Sequence, residues 1–88
     1  MIMVHKVVIA KKVFDYERGI WIEDRTKLHP TKKFDVDFYG RGAWNYDSSE
    51  NDLEKAKDFA KKIISKTPST SARVIEAKTG KVIFQVDK

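Results

Sequence analysis

The chain has no cysteine and contains neither an internal repeat nor a low-complexity linker. Without cysteine there is no disulfide framework, no thiolate nucleophile and no zinc site with cysteine ligands. This composition suits a reducing cytoplasm, so the sequence predicts a cytoplasmic protein.

Long hydrophobic runs are also missing. The longest apolar stretch near the start, from Val7 to Ala10, is much shorter than the core of a signal peptide. No run approaches the roughly 20 apolar residues that a membrane-spanning helix needs. We therefore expect no membrane association.

The length of 88 residues predicts one small domain that spans residues 1–88. Hydrophobic residues make up 41% of the chain and charged residues 35%, which is typical of a folded, soluble domain. The net charge of +5 makes an anionic partner such as nucleic acid a candidate. Its positive and negative residues alternate in blocks along the chain, which is less typical of one continuous basic surface.

The segment from Ser49 to Lys88 predicts a capped amphipathic helix followed by a β-hairpin. Ser49 is the expected helix cap, and the expected inner face is formed by Leu53, Ala56, Phe59, Ala60, Ile63 and Ile64. Residues 72–77 and 81–86 then alternate around a tight turn at Lys78-Thr79-Gly80. The expected register puts Val74 opposite Phe84, Ala72 opposite Val86 and Ile75 opposite Ile83. We expect Leu53, Phe59 and Ile63 to pack on Val74, Val82 and Phe84.

Three strands are predicted before the helix. A long strand over Ile2–Phe14 forms a hairpin with Ile20–Ile22, and Phe34–Tyr39 alternates with Asp35 and Asp37 facing outward. Gly40-Arg41-Gly42 is expected to end the third strand. The predicted fold is α+β, an antiparallel sheet of four to five strands packed on one helix in the order β-β-β-α-β-β.

No group of reactive side chains has the spacing of a catalytic site. Glu76-Ala77-Lys78 resembles the E-x-K element of the PD-(D/E)xK nucleases, which would imply a Mg²⁺ site. That family needs a further aspartate on a preceding strand, whereas the nearest upstream aspartate, Asp58, lies in the predicted helix. A salt bridge beside a turn is therefore the preferred interpretation. His5 and His29 have no recognisable catalytic partner. We expect no enzyme activity and no catalytic residue.

Asp35 and Asp37 would point to one face of a strand, where two carboxylates can share a divalent cation. A third ligand is not identifiable from the spacing, and hard cations prefer six or more oxygen ligands. We therefore expect no metal and no cofactor.

The best candidate surface combines aromatic and basic residues around the Gly40-Arg41-Gly42 break. The predicted partner-binding residues are Tyr39, Arg41, Trp44, Tyr46, Lys32 and Lys33. Aromatic and arginine side chains anchor protein interfaces and also stack on bases. Trp44 has three open assignments at this point: the core, a protein interface or a nucleic-acid interface.

The order of elements, with the terminal segment R-V-I-E-A-K-T-G-K-V-I-F, is similar to that of small accessory proteins of phages and mobile elements. Some of those proteins inhibit CRISPR or other host machinery, which implies a protein partner. We expect a non-enzymatic binding module that engages a protein or protein complex. The alternative is a nucleic-acid-binding domain that uses the lysine-rich loop of residues 24–33 and the helix lysines Lys55, Lys62 and Lys66. The chain is expected to be a monomer, or a homodimer through an exposed Ile75 and Ile83 pair.

Overall fold

A computed structural model describes residues 8–88 of the chain. It contains six strands, one α-helix and a short 3-10 helix that spans Arg25–Lys27. The strands and the helix, in chain order, are β1 Val13–Asp15, β2 Ile20–Ile22, β3 Phe34–Gly40, β4 Ala43–Glu50, α1 Leu53–Lys66, β5 Ser71–Glu76 and β6 Lys81–Asp87.

The strands form one mixed sheet in the order β2-β1-β4-β3-β5-β6. The α+β class with a single helix is confirmed for the described residues. The expected number of strands, their all-antiparallel pairing and the order β-β-β-α-β-β are wrong, because β4 is an additional strand and pairs in parallel with β1.

The first hairpin is present, but its first strand is short. Residues 16–19 form the turn between β1 and β2, and Phe14 pairs with Trp21. Of the expected strand over Ile2–Phe14, residues 2–7 lie outside the described part of the chain. Ile9 makes only an isolated bridge to Lys81, at the other end of the sheet.

The Gly40-Arg41-Gly42 break is a tight turn that connects β3 to β4. Arg41 and Gly42 both have positive φ, at 56° and 76°. Two such residues match the twist of the strands that flank a two-residue hairpin loop. The residues after the break therefore continue the sheet as β4.

Helix α1 begins later than the sequence indicated. Asp52 is the cap, and its side chain accepts from the backbone N–H groups of Glu54 and Lys55. Ser49, the expected cap, lies in β4. Ala56 and Ala60 are fully buried on the inner face, but Phe59 is 38% exposed and does not belong to it.

The hairpin of β5 and β6 closes at Gly80, whose φ of 78° confirms the expected left-handed turn residue. Val74 pairs with Phe84 and Ala72 with Val86, as expected. A bulge after Val74 then shifts the register, so that Ile75 pairs with Val82. The expected pairing of Ile75 with Ile83 is therefore wrong. Ile75 is fully buried, which also removes the basis for a homodimer through that pair.

Two apolar clusters lie on opposite faces of the sheet. On the helix side, Val36, Ala72 and Val74 pack with the helix alanines, with Leu53, Ile63 and Phe84 around them. The expected packing of Phe59 and Val82 in this cluster is wrong. On the far side, the buried Val13, Ile22 and Leu28 pack with Trp44 and Tyr46.

Candidate functional site

Helix α1 covers only part of its side of the sheet. It packs mainly on β3, β5 and β6, which leaves the helix side of β2, β1 and part of β4 uncovered by described residues. A groove of about 910 Å³ lies there. Its lining residues are Phe14, Tyr16, Trp21, Phe38, Tyr39, Gly40, Arg41, Ala43, Asn45, Asp47, Ile63, Thr67, Pro68, Ser69 and Thr70.

Four aromatic side chains give the groove its apolar character. Phe14 and Trp21 are cross-strand neighbours with ring centroids 5.2 Å apart, and Tyr16 contacts Phe38 at 5.9 Å. Both pairs meet edge to face, the arrangement that aromatic quadrupoles favour. Trp21 and Tyr16 remain 50% and 51% exposed. We call Phe14, Tyr16, Trp21 and Phe38 the aromatic wall.

The opposite wall comes from the end of the helix. Ile63 and the segment of residues 67–70 face the aromatic wall across the groove. The helix ends before Thr67, whose backbone is extended ahead of Pro68, and the Thr67 hydroxyl donates to the Ile63 carbonyl at 2.7 Å. This wall is therefore fixed by the helix terminus.

Few charged groups line the groove. Among the described lining residues, Arg41 at the β3–β4 turn is the one cation and Asp47 farther along β4 is the one anion. The amide of Asn45 donates to the carbonyls of Gly40 and Ala43, at 3.1 Å each, and so braces the turn that carries Arg41. Outside the lining, the Lys12 ammonium lies 4.9 Å from the centre of the Trp21 ring.

The six predicted partner-binding residues do not form one surface. Tyr39 and Arg41 line the groove. Trp44 and Tyr46 pack in the far-side cluster, although the rings of Tyr39 and Trp44 are 5.3 Å apart. The guanidinium of Arg73 lies 3.9 Å from the centre of the Trp44 ring.

Lys32 and Lys33 lie at the other end of β3 from Tyr39 and Arg41. Five residues of β3, from Phe34 to Phe38, lie between Lys33 and Tyr39, which corresponds to about 20 Å along an extended strand. The backbone N–H of Lys33 donates to the Asn51 side chain at 3.0 Å. The backbone carbonyl of Lys33 accepts from the backbone N–H of Ala77. These contacts hold the chain close to the hairpin at that end of the sheet.

A buried charge cluster fills the far side of the sheet beneath residues 24–33. Arg25 donates to both carboxylate oxygens of Asp37, at 3.1 and 2.7 Å, and also to the Ala10 carbonyl. Arg73 contacts Asp37 at 3.0 Å, and Asp35 lies 3.4 Å from Arg25. The expectation that Asp35 and Asp37 face water is wrong, because both are fully buried.

Burial shifts the ionisation of this cluster. It raises the pKa of Asp35 above its usual value and lowers the pKa of Arg73. A chain of hydrogen bonds runs from the Tyr46 hydroxyl to Ser49, whose hydroxyl donates to Asp35 at 2.8 Å. Asp35 and Asp37 are thus occupied by protein partners. Through the contacts of Arg25 with Asp37, the cluster holds the loop of residues 24–33 against the sheet.

The remaining sequence candidates lie apart from the groove. The Thr79 hydroxyl donates to Glu76 at 2.7 Å, beside the β5–β6 turn. His29 is exposed in the loop, and His5 lies outside the described residues. Among residues 8–88, no three histidine or acidic side chains are grouped as metal ligands would be.

Sequence reasoning missed most of the aromatic wall. Phe38 was expected to point inward from its strand, Phe14 was treated only as a strand residue, and Trp21 was considered only for the core. One signal was present: Ile20-Trp21-Ile22 is apolar on both strand faces although it is only three residues long. Such a short strand is typical of a sheet edge, where apolar residues on both faces are unusual.

Comparison with known protein families, curated proteins and solved structures finds no match to this chain. Within the described residues, no helix is both long and apolar enough to cross a membrane.

Proposed function

We propose that the chain is a non-enzymatic binding module that holds an apolar segment of a partner protein in the groove. The observation that carries this proposal is the aromatic wall, which presents the two half-exposed rings of Tyr16 and Trp21 along the groove. Aromatic side chains beside an arginine are the commonest anchors of protein interfaces.

The charges of the groove favour a protein over a nucleic acid. The positive charge of Arg41 and the negative charge of Asp47 cancel in the groove. A phosphate backbone would be repelled by the Asp47 carboxylate as well as attracted by the Arg41 guanidinium. Lys12 covers one face of the Trp21 ring, which leaves less of that ring for stacking on a base. The partner segment is therefore apolar, with an acidic residue that meets Arg41 and a basic residue that meets Asp47.

The backbone of Arg41 supports a role for its side chain. A φ of 56° is costly for a residue with a Cβ, by about 1–2 kcal/mol, and glycine or asparagine would occupy this turn position with less strain. Strained residues persist where another requirement keeps them. Contact between the guanidinium and a partner is such a requirement.

The alternative function is nucleic-acid binding through the helix lysines. Lys55, Lys62 and Lys66 are exposed, as that alternative requires. The basic loop of residues 24–33 offers fewer exposed cations to a nucleic acid than its sequence indicated, because Arg25 is buried in the charge cluster.

The test is a selection of random peptides displayed on phage against the immobilised chain. We expect enriched peptides in which apolar residues are accompanied by an acidic residue and a basic residue. Their binding should weaken at least about tenfold in Tyr16→Ser and in Arg41→Gly. Arg41→Gly should also unfold at a higher denaturant concentration, because it relieves the backbone strain.

Phe59→Ala is the matched control, since Phe59 is an exposed aromatic residue outside the groove. It should leave peptide binding unchanged. The proposal is wrong if no peptide is enriched, or if both groove variants bind the peptides like the wild type. Tight binding of a single-stranded oligonucleotide that falls steeply with salt would instead assign the nucleic-acid function.

A further inference from the structure

The two edges of the sheet differ in chemistry. The β6 edge carries exposed polar or charged residues at Lys81, Gln85 and Asp87. Natural sheets protect their edges with such residues. Val8, the first described residue, also adds its carbonyl to this edge by accepting from Val82 at 2.9 Å.

The β2 edge carries no polar or charged side chain at its three strand positions. Ile20 is 47% exposed on the far side of the sheet, and Trp21 is 50% exposed on the helix side. No described strand pairs with the outer side of β2. An edge strand that is apolar on both faces is suited to a neighbouring strand, because only a strand covers both faces and also pairs with the backbone.

We propose that β2 pairs with β2 of a second copy of this chain, antiparallel about a two-fold axis at Trp21. In that register Trp21 lies opposite its own counterpart, and Ile20 lies opposite Ile22. Such an interface is isologous, since one patch serves both copies. It would reduce the exposure of Ile20 and Trp21 together.

The charges that flank β2 fit an antiparallel arrangement. Arg18 lies in the turn before β2, where it contacts Asp15 at 3.4 Å, and the acidic residues Glu23 and Asp24 follow β2. Because antiparallel pairing brings the start of β2 in one copy towards the end of β2 in the other, Arg18 approaches the acidic pair of the second copy, twice by symmetry. The Asp24 carboxylate is exposed, and only one of its oxygens is used to cap the 3-10 helix, through Thr26.

Pairing through β2 would also enlarge the groove. Trp21 lines the groove, so the two aromatic walls would lie side by side across the axis. The contact is short, because β2 has three residues. An interface of this size forms a weak, concentration-dependent dimer, with a Kd of about micromolar order or weaker.

Sedimentation equilibrium of the full chain, from about 1 µM to several hundred µM, tests the proposal. We expect a shift from monomer to dimer across that range. Ile20→Lys should raise the dimer Kd at least about tenfold, because it puts a charge on the paired edge. Gln85→Lys, on the opposite edge, is the matched control and should leave the Kd unchanged.

Asp24→Asn tests the flanking charges separately. Asparagine caps a helix as aspartate does, so the loop should stay folded while the charge is lost. We expect a weaker dimer at low salt and a smaller effect of salt on its Kd. Thermal unfolding followed by circular dichroism checks that each variant is folded.

The proposal is overturned if the wild type stays monomeric throughout, or if Ile20→Lys dimerises like the wild type. Dissociation by Gln85→Lys in place of Ile20→Lys would move the interface to β6 and also overturn it. Peptide binding is a separate readout: Ile20 does not line the groove, and Tyr16 is not on the paired edge. Loss of dimerisation can therefore be told apart from loss of partner binding.

Discussion

Asp37 is the residue on which the far side of the sheet depends most. It accepts from two arginines that come from distant parts of the chain, Arg25 in the 3-10 helix and Arg73 in β5. Asp35 adds a second carboxylate, so that two anions face two cations away from water. All described buried side-chain polar atoms have hydrogen-bond partners, as a cluster of this kind requires.

Replacing Asp37 by alanine should destabilise the fold by about 3–5 kcal/mol, because both arginines lose their principal charge partner while buried. A domain of this length has a free energy of unfolding of about 4–13 kcal/mol, so the variant should lose a large part of its stability. Urea unfolding measures the loss. Asp47→Ala removes an exposed aspartate from β4 and should change the free energy by no more than about 0.5 kcal/mol. An equal effect of the two changes would contradict this account.

Asp35 should make stability depend on pH in the direction opposite to ordinary acid unfolding. Burial raises its folded-state pKa above the usual 3.8, so the folded chain binds this proton more tightly than the unfolded chain. The contribution of Asp35 to stability then falls as the pH rises from about 3.8 through the folded-state value. Asp35→Asn removes this dependence.

The destabilisation caused by Asp35→Asn should therefore be largest in acid and shrink toward neutral pH. Urea unfolding of the wild type and the variant at several values between about pH 4 and 7 measures the difference. A difference that grows with pH would show that attraction to Arg25 outweighs the desolvation of the carboxylate.

At the scale of elements, helix α1 approaches the sheet through small residues. Ala56 and Ala60 are fully buried, while Leu53, Ile63 and Ile64 are only partly buried around them. Close approach of the helix to β3 and β5 leaves Phe59 at the margin, where Lys62 lies 5.8 Å from the centre of its ring. The inner face expected from the sequence therefore wrongly included Phe59.

Phe59→Ala should therefore cost less stability than Ile63→Ala, although phenylalanine is the larger side chain. We expect a loss of less than about 1 kcal/mol for Phe59 and about 2 kcal/mol for Ile63, which packs against the helix-side cluster. Urea midpoints of the two variants give the comparison. The reverse ranking would place Phe59 in the core, as its position in the helical period predicts.

At the scale of the whole molecule, the decisive feature is that the sheet is wider than the single helix that covers it. Six strands lie side by side, and α1 packs mainly on those at the β6 end. The far side is closed by the loop of residues 24–33, through Arg25 and Leu28. The helix side at the β2 end has no described cover. The groove and the open edge are both consequences of this mismatch.

The sequence alone determined the features that depend on neighbours along the chain. The helix, the β5–β6 hairpin with its turn glycine and the alternation of β3 follow from local periodicity and turn chemistry. The resulting α+β class was correct for the same reason. The helix cap was misplaced by three residues, because Ser49 and Asp52 are both good caps and only the length of β4 distinguishes them.

Only the tertiary structure decided which faces are covered. Arg25, Asp35 and Asp37 look like solvent-exposed charges in sequence, and they become interior residues because the loop folds onto the sheet beside Arg73. Trp44 and Trp21 look alike in sequence, yet one packs against that cluster and the other remains half-exposed at an edge. Both outcomes depend on the parallel pairing of β1 with β4, a long-range contact that no local pattern encodes.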